Sequence, residues 1–237
     1  MNERIDIHKI MDQLKDRRPV FHSEADFQFE FAWEIKQIYA DYQIRLEYPV
    51  RLKRLKKTRN RQKDKNEYID IVVITDKNEW IPIELKYKTK KHKFVLSAHK
   101  RKLEDVELTD QSATDHGRYW FWNDVSRIEA LLEEGYGNKN WVEGYAIILT
   151  NEENYWDKDG AGTSWKNFTL KKMPKRDENK QLKWVDTTRV NNYDKLCQDK
   201  PSLYIQHDYT LEWQPYSNEG CELKYLALAC EKSKDKQ

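Results

Sequence analysis

Asp70, Glu84 and Lys86 are the residues whose types and spacing could support chemistry in this sequence. Asp70 interrupts an otherwise apolar run at 68–74, where a buried carboxylate is costly unless a metal ion or hydrogen bonds compensate it. Glu84 and Lys86 stand two residues apart in the next apolar run, so the alternation of a strand places both on one face. Two carboxylates beside a lysine are the groups that metal-assisted hydrolysis of a phosphodiester requires.

A magnesium ion is the cofactor that these groups suit. Mg²⁺ prefers carboxylate and carbonyl oxygens and retains several of its waters. We expect Asp70, Glu84 and the main-chain carbonyl of Leu85 to be its protein ligands, with Mn²⁺ as a possible substitute. The ion would lower the pKa of a bound water and neutralise charge on the phosphate. Lys86 could orient that water and stabilise the pentacovalent state; its own charge depends on opposing effects and stays open.

The turn between the two strands decides whether these side chains meet. A two-residue turn at Lys77-Asn78 would place Asp70 and Glu84 on opposite faces of the sheet. A three-residue loop at 77–79 would pair Asp70 with Lys86 and bring all three groups to one face. The hypothesis of a catalytic site therefore predicts an odd loop or a bulge here. The alternative is two ordinary strands whose charged ends pair at the rim of a sheet.

The flanking pattern predicts the elements that position this cluster. Ser23 is a suitable N-cap, with Asp26 three residues on, for a helix that reaches about Ala40. The periodicity of apolar residues, with Gly135 as a stop signal, predicts a second helix containing Phe121 to Leu132. Strands are predicted at 43–50, 67–75, 80–87, 142–150, 203–213 and 221–229, and a loop rich in Lys and His follows residue 87.

This order of elements predicts an α/β or α+β fold. It divides the chain into a leading helix or arm (1–20), a core (21–150), a strand-rich extension packed on the same sheet (151–230) and a disordered tail (231–237).

At these residues the sequence resembles the PD-(D/E)xK nuclease superfamily, through Tyr68-Ile69-Asp70 and Ile83-Glu84-Leu85-Lys86. Ile69 stands where the motif's name has Pro. The chain is also similar to a group of bacterial proteins that carry such a domain. The matching segments are 22–27, 45–47 and 83–89, Arg118-Tyr119, and Asp124, Arg127, Ile128 and Glu129. The resemblance covers about residues 20–150. It implies a restriction-endonuclease-like αβββαβ core with a mixed central sheet flanked by helices, extended here by C-terminal strands.

The resemblance also implies an acidic residue from the first core helix near the metal, and Glu24 is in that position. An acid in the first turn also favours the helix dipole, which explains Glu24 equally well. Glu47, near the end of the first strand, is a weaker candidate.

Basic residues flank the strands of the candidate site and could bind the phosphate backbone without reading sequence. The alternative is a pair of solvated basic loops. The candidate contacts are Arg51, Lys53, Arg54, Lys56, Lys57, Arg59, Lys88, Lys90 and Lys91, with Arg118 on the second helix. The acidic and basic residues around Arg118, such as Asp124 and Arg127, are explained more simply as intrahelical pairs.

Composition limits the other classes of function. The 237 residues are 35% charged with a net charge of +2, so only the distribution of charge is informative. Three widely spaced cysteines (197, 221 and 230) argue against a disulfide framework or a zinc site. The absence of an apolar leader or a long apolar run predicts a cytoplasmic protein without membrane contact.

The sequence thus predicts a Mg²⁺-dependent nuclease acting on nucleic acid, with DNA as the expected substrate. One alternative is a nucleic-acid-binding module without turnover. Another is an interaction protein, for which an exposed patch of Trp165, Trp184 and Trp213 would be evidence. A second copy of the chain or an accessory protein remains a candidate partner.

Overall fold

The computed structural model describes residues 4–52, 67–96, 104–111, 113–185 and 200–232. In this part of the chain the helices are α1 (Ile7–Arg17), α2 (Glu24–Ile38), α3 (Thr114–Glu134) and α4 (Asn154–Asp157), and Lys166–Phe168 forms a 3₁₀ turn. The strands are β1 (Gln43–Val50), β2 (Glu67–Ile74), β3 (Glu79–Lys88), β4 (His92–Leu96), β5 (Glu104–Leu108), β6 (Asn140–Trp141), β7 (Glu143–Thr150), β8 (Gln181–Leu182), β9 (Leu203–Tyr204), β10 (Gln214–Ser217) and β11 (Leu223–Glu231). None of the described helices is both long and apolar enough to cross a membrane.

A mixed sheet with helices on both faces forms the centre of this α/β fold. Its strand order is β1-β2-β3-β7-β11-β10, and the two-residue strand β6 also pairs with β3. The pairs β3–β7 and β3–β6 are parallel and the other neighbours are antiparallel. The chain reaches β7 from β3 by way of α3, so this connection carries α3 across one face of the sheet.

The first face is covered by α1 and α2. Ser23 caps α2 as predicted, because its side chain accepts a hydrogen bond from the Asp26 amide. Phe27, Phe31 and Ile35 follow at helical spacing and are fully buried against the sheet. Each such side chain contributes roughly 1.5–3 kcal/mol on burial, so this apolar stripe fixes the orientation of α2.

The second face is covered by α3, whose apolar positions Phe121, Val125, Ile128 and Leu132 are all buried, as their spacing predicts. The chain after β7 adds a second layer to this face. Phe168, Leu170, Leu182, Leu203 and Ile205 share one apolar cluster with α3.

Three predictions of secondary structure need correction. The loop expected after residue 87 contains the hairpin β4–β5, because Leu96, Val106 and Leu108 are buried against the first core despite the lysines around them. The strand expected at 203–213 is reduced to β9, and the sheet strand β10 begins only at Gln214. Glu231 does not begin the tail but is the last residue of β11, ion-paired with Arg4. Residues 233–237 of the expected tail lie outside the described residues.

Candidate active site

Thr75 closes the turn between β2 and β3, because its amide donates to the Glu79 carbonyl and its carbonyl accepts from the Asn78 amide. The three residues enclosed, Asp76 to Asn78, confirm the prediction of an odd loop, one residue earlier than the expected 77–79. Asn78 adopts a left-handed conformation with φ of 60°, which an asparagine tolerates. The ladder pairs Ile71 with Ile83, so the register places Glu84, not Lys86, at the level of Asp70. An even offset keeps Asp70, Glu84 and Lys86 on one face, as the chemistry requires.

The sheet opens at Asp70. On the β3 side the ladder ends at Ile71–Ile83, and beyond it the Asp70 carboxylate accepts a hydrogen bond of 2.7 Å from the Leu85 amide. On the β1 side the pairing skips Glu47, whose φ of 49° takes it out of the strand conformation. Gln28 of α2 donates to the Asp70 carbonyl at 2.7 Å and also to Glu47. Hydrogen bonds from the Gln28 side chain and from the Leu85 amide therefore hold Asp70 at the point where the strands diverge.

Lys86 is positioned by α3. Its ammonium lies 2.7 Å from an oxygen of Asp124 and donates to the Leu85 carbonyl at 3.0 Å. Burial opposes the charge on Lys86, but the carboxylates of Asp124 and Asp70 outweigh it, so the pKa of Lys86 is raised. The raised pKa favours the charged form of Lys86, in which the ammonium donates hydrogen bonds.

Glu84 is 1% exposed and lies against Arg127 of α3, at 3.1 Å between Oε1 and the guanidinium. Burial raises the pKa of Glu84 well above its ordinary value, although Arg127 counteracts the effect. Burial also raises the pKa of Asp70, with Lys86 opposing. Two cations, Lys86 and Arg127, thus lie among the carboxyl groups of Asp70, Glu84 and Asp124.

Glu84→Gln is expected to stabilise the protein at pH 7 in metal-free buffer. A raised pKa means that the folded state holds the Glu84 proton more tightly than the unfolded state does. The contribution of Glu84 to the folding stability is fully present below 4.5, its pKa in the unfolded state. This contribution is lost as the pH rises through the pKa of Glu84 in the folded state. Glutamine resembles the protonated acid, so the advantage of the variant should shrink as the pH falls towards 4. Urea unfolding of both proteins at pH 4 and 7 measures this, and a less stable variant at pH 7 would contradict it.

Glu24 reaches β3 from the start of α2. Its Oε2 accepts a hydrogen bond of 2.9 Å from the Tyr87 amide and lies 3.4 Å from the Lys88 ammonium. It acts electrostatically on both Asp70 and Lys86. Glu24 is a first-turn acid of α2 and also lies beside the cluster, so its position is compatible with both explanations.

The donor set of the cluster consists of hard oxygens, the ligands that Mg²⁺ takes. Two carboxylates, Asp70 and Glu84, and the Leu85 carbonyl belong to it. Among the described residues, no three His, Cys, Asp or Glu side chains are arranged as a ready metal cage. Magnesium is often held by only one or two carboxylates and completes its shell with water and phosphate, so the chemistry of this donor set fits the ion.

The candidate phosphate contacts separate into three groups. Lys53, Arg54, Lys56, Lys57 and Arg59 lie outside the described residues. Arg51, Lys90 and Lys91 are exposed, and Lys88 is half-buried beside Glu24 at the end of β3.

The prediction for Arg118 is wrong, because its side chain is fully buried. Its guanidinium stacks on Trp165 at 4.0 Å and on Tyr155 at 4.9 Å and donates to the Asn154 carbonyl. Burial lowers the pKa of Arg118 to about 10. This arginine joins α3 to the segment after β7 and does not reach a phosphate at the surface.

Asp124 and Arg127 are the site residues that the sequence analysis missed. Their spacing in the sequence indicates an intrahelical pair, and that contact exists at 3.7 Å. Their main partners, however, are Lys86 and Glu84 across the interface with β3. One signal was present: Asp124 lies at a core-facing position of α3, between Phe121 and Ile128, where a charge needs a partner.

No family model, no curated protein and no solved structure matches this chain.

Proposed function

We propose that this protein is a divalent-metal-dependent nuclease, which hydrolyses phosphodiester bonds of nucleic acid, with DNA as the expected substrate. The observation that carries the proposal is the pair Asp70 and Glu84, enclosed beside Lys86 where β2 and β3 diverge. If the hairpin β4–β5 and the short strand β6 are taken as insertions, the order α2-β1-β2-β3-α3-β7 is that of the αβββαβ core of the PD-(D/E)xK superfamily, so we propose a restriction-endonuclease-like fold as well.

Each residue has a defined part in the proposed reaction. Asp70, Glu84 and the Leu85 carbonyl would hold Mg²⁺ or Mn²⁺, which supplies an acidified water and charge neutralisation at the phosphate. Lys86 is a cation held by Asp124, and it stabilises negative charge that develops on the phosphate oxygens. Glu24 adds negative potential beside Lys88 and supports the end of β3.

The exposed lysines after β3 give the substrate a path to the site. Lys88 to Lys91 continue directly from the strand that carries Glu84 and Lys86, and Lys90 and Lys91 are exposed. Contacts of this kind bind phosphates irrespective of base sequence and weaken steeply with salt. We therefore propose that the sugar-phosphate backbone of a nucleic acid binds at the place where β2 and β3 diverge.

The wild-type chain is expected to cleave nucleic acid in the presence of Mg²⁺ or Mn²⁺ and to lose this activity in EDTA. The assay compares supercoiled plasmid, linear duplex, single-stranded DNA and RNA, with Ca²⁺ as a control ion. Products are resolved on gels, which distinguish endonuclease from exonuclease cleavage. Absence of metal-dependent cleavage on every substrate would contradict the proposal.

A binding module without turnover is the alternative that one observation favours. Glu84, the Leu85 carbonyl and Asp70 each already contact a donor or a cation of the protein itself. Salt-sensitive binding without cleavage in the same assay would select this alternative. The alternative of an interaction surface formed by Trp165, Trp184 and Trp213 has less support, because all three are partly buried against the second core.

A further inference from the structure

We propose that Arg127 is the internal counter-ion of the site, which neutralises Glu84 in the resting protein and is displaced from it when a divalent cation binds. The inference rests on the proposed function, since it concerns how the same site is filled. It assigns Arg127 a regulatory role that sets the metal affinity of the site.

The contacts of Arg127 place it among three carboxylates. Its guanidinium lies 3.1 Å from Glu84, 3.2 Å from Glu67 and 3.7 Å from Asp124, and it donates a hydrogen bond to the Tyr68 carbonyl. Its side chain is 13% exposed. A cation enclosed in this way is strongly attracted to its neighbours, because little water screens the charges.

Glu84 depends on Arg127 for compensation of its burial. Within the described part of the chain, Oε1 of Glu84 has no hydrogen-bond partner, although the guanidinium lies within ion-pair distance. The contact is thus a pairing of charges without hydrogen-bond geometry. A second cation close to Glu84 could replace it without breaking a hydrogen bond to this atom.

Arg127 keeps other partners if it gives up Glu84. Its hydrogen bond to the Tyr68 carbonyl anchors it to β2, and Glu67 and Asp124 remain beside it. A guanidinium and a divalent cation repel each other when both lie near one carboxylate in a poorly screened site. Binding of the metal ion therefore requires Arg127 to shift towards Glu67 and Asp124, and this repulsion weakens the binding.

Removal of the counter-ion should strengthen metal binding. Arg127→Met, which keeps an unbranched side chain without charge, is expected to bind Mn²⁺ about tenfold more tightly than the wild type in calorimetric titrations. Arg17→Met is the matched control, because Arg17 also forms ion pairs with two carboxylates of low exposure, those of Glu30 and Glu34 on α2. Its Mn²⁺ affinity should equal that of the wild type.

Thermal unfolding gives a second readout that does not require catalysis. Arg127→Met should unfold at a lower temperature than the wild type without metal and should gain more on addition of Mn²⁺. If this variant does not fold, Arg127→Lys replaces it, because the shorter ammonium cannot span Glu84 and Glu67. It should bind Mn²⁺ more tightly than the wild type.

The outcomes separate this inference from the proposed function. Binding of Mn²⁺ by the wild type, with equal or weaker binding by the folded variant, overturns the role of Arg127 and leaves the nuclease proposal intact. Binding by the variant alone supports the inference and identifies Arg127 as the block in the resting chain. Absence of Mn²⁺ binding in both proteins overturns the inference together with the proposed metal site.

Discussion

Asp70→Asn is expected to reduce metal-dependent cleavage by about a thousandfold or more. The substitution removes one of two carboxylates proposed to hold the metal, and loss of several kcal/mol of charge stabilisation corresponds to at least that factor. The amide oxygen of asparagine can still accept the hydrogen bond from the Leu85 amide, so the local geometry of β3 is retained.

The same substitution is expected to leave the stability of the protein equal or higher. Burial raises the pKa of Asp70, which means that the folded state penalises its ionised form. A neutral residue of the same shape avoids this penalty. A variant that is inactive but at least as stable as the wild type is the expected signature of a functional residue.

Initial rates of plasmid cleavage and urea unfolding at pH 7 measure the two effects on one preparation. Asp12→Asn is the matched control, because Asp12 lies on the surface of α1 in an exposed ion pair with Lys15. It should cleave at the wild-type rate. Cleavage by Asp70→Asn at more than about a tenth of that rate would exclude Asp70 from the reaction.

Glu129→Ala is expected to destabilise the protein by roughly 3–5 kcal/mol. The carboxylate of Glu129 is 1% exposed and accepts hydrogen bonds from the amides of Gln206 and His207, at 2.7 and 3.0 Å, and from the Tyr209 hydroxyl at 2.7 Å. Alanine would leave the two amides without this buried acceptor and would leave the Tyr209 hydroxyl with the sulfur of Cys230, at 3.4 Å.

Glu129 also connects the C-terminal segment to the helix of the site. It lies on α3, two residues after Arg127, and holds residues 206–209 against this helix. Its loss is therefore expected to loosen the packing that fixes Asp124 and Arg127 against β3, with a secondary decrease in cleavage.

Urea unfolding of three variants tests the role of Glu129. Glu129→Gln keeps an acceptor oxygen and should lose less stability than Glu129→Ala. Glu134→Ala, an exposed position at the end of the same helix, should lie within about 0.5 kcal/mol of the wild type. Equal stability of Glu129→Ala and Glu134→Ala would show that the three hydrogen bonds are replaced by water.

The sequence by itself determined the elements around the cluster and the face on which its members lie. Apolar spacing placed α2 and α3, and alternation placed Glu84 and Lys86 on one side of β3. The requirement that Asp70 share that face predicted the three-residue loop. These properties depend on periodicity and turn geometry within one hairpin or helix. They can therefore be predicted without knowing which other elements pack against that hairpin or helix.

The sequence did not predict the hairpin β4–β5 or the bounds of the late strands. The hairpin β4–β5 was missed because charged residues, Lys93 on β4 and Glu104, Asp105 and Glu107 on β5, stand among its few apolar ones. Its buried residues are Leu96, Val106 and Leu108. The late strands were placed within several residues but with wrong bounds, since short strands such as β9 depend on their pairing partner more than on their own residues.

Only the tertiary structure decided which charges meet. The parallel pairing of β3 with β7 lays α3 across the sheet, and this brings Asp124 to Lys86 and Arg127 to Glu84. The raised pKa of Lys86 follows from its contact with Asp124, and the burial of Arg118 follows from packing of the segment after β7. Local periodicity fixes the face of an element that is buried, whereas the partner of a buried charge depends on the order in which distant elements pack.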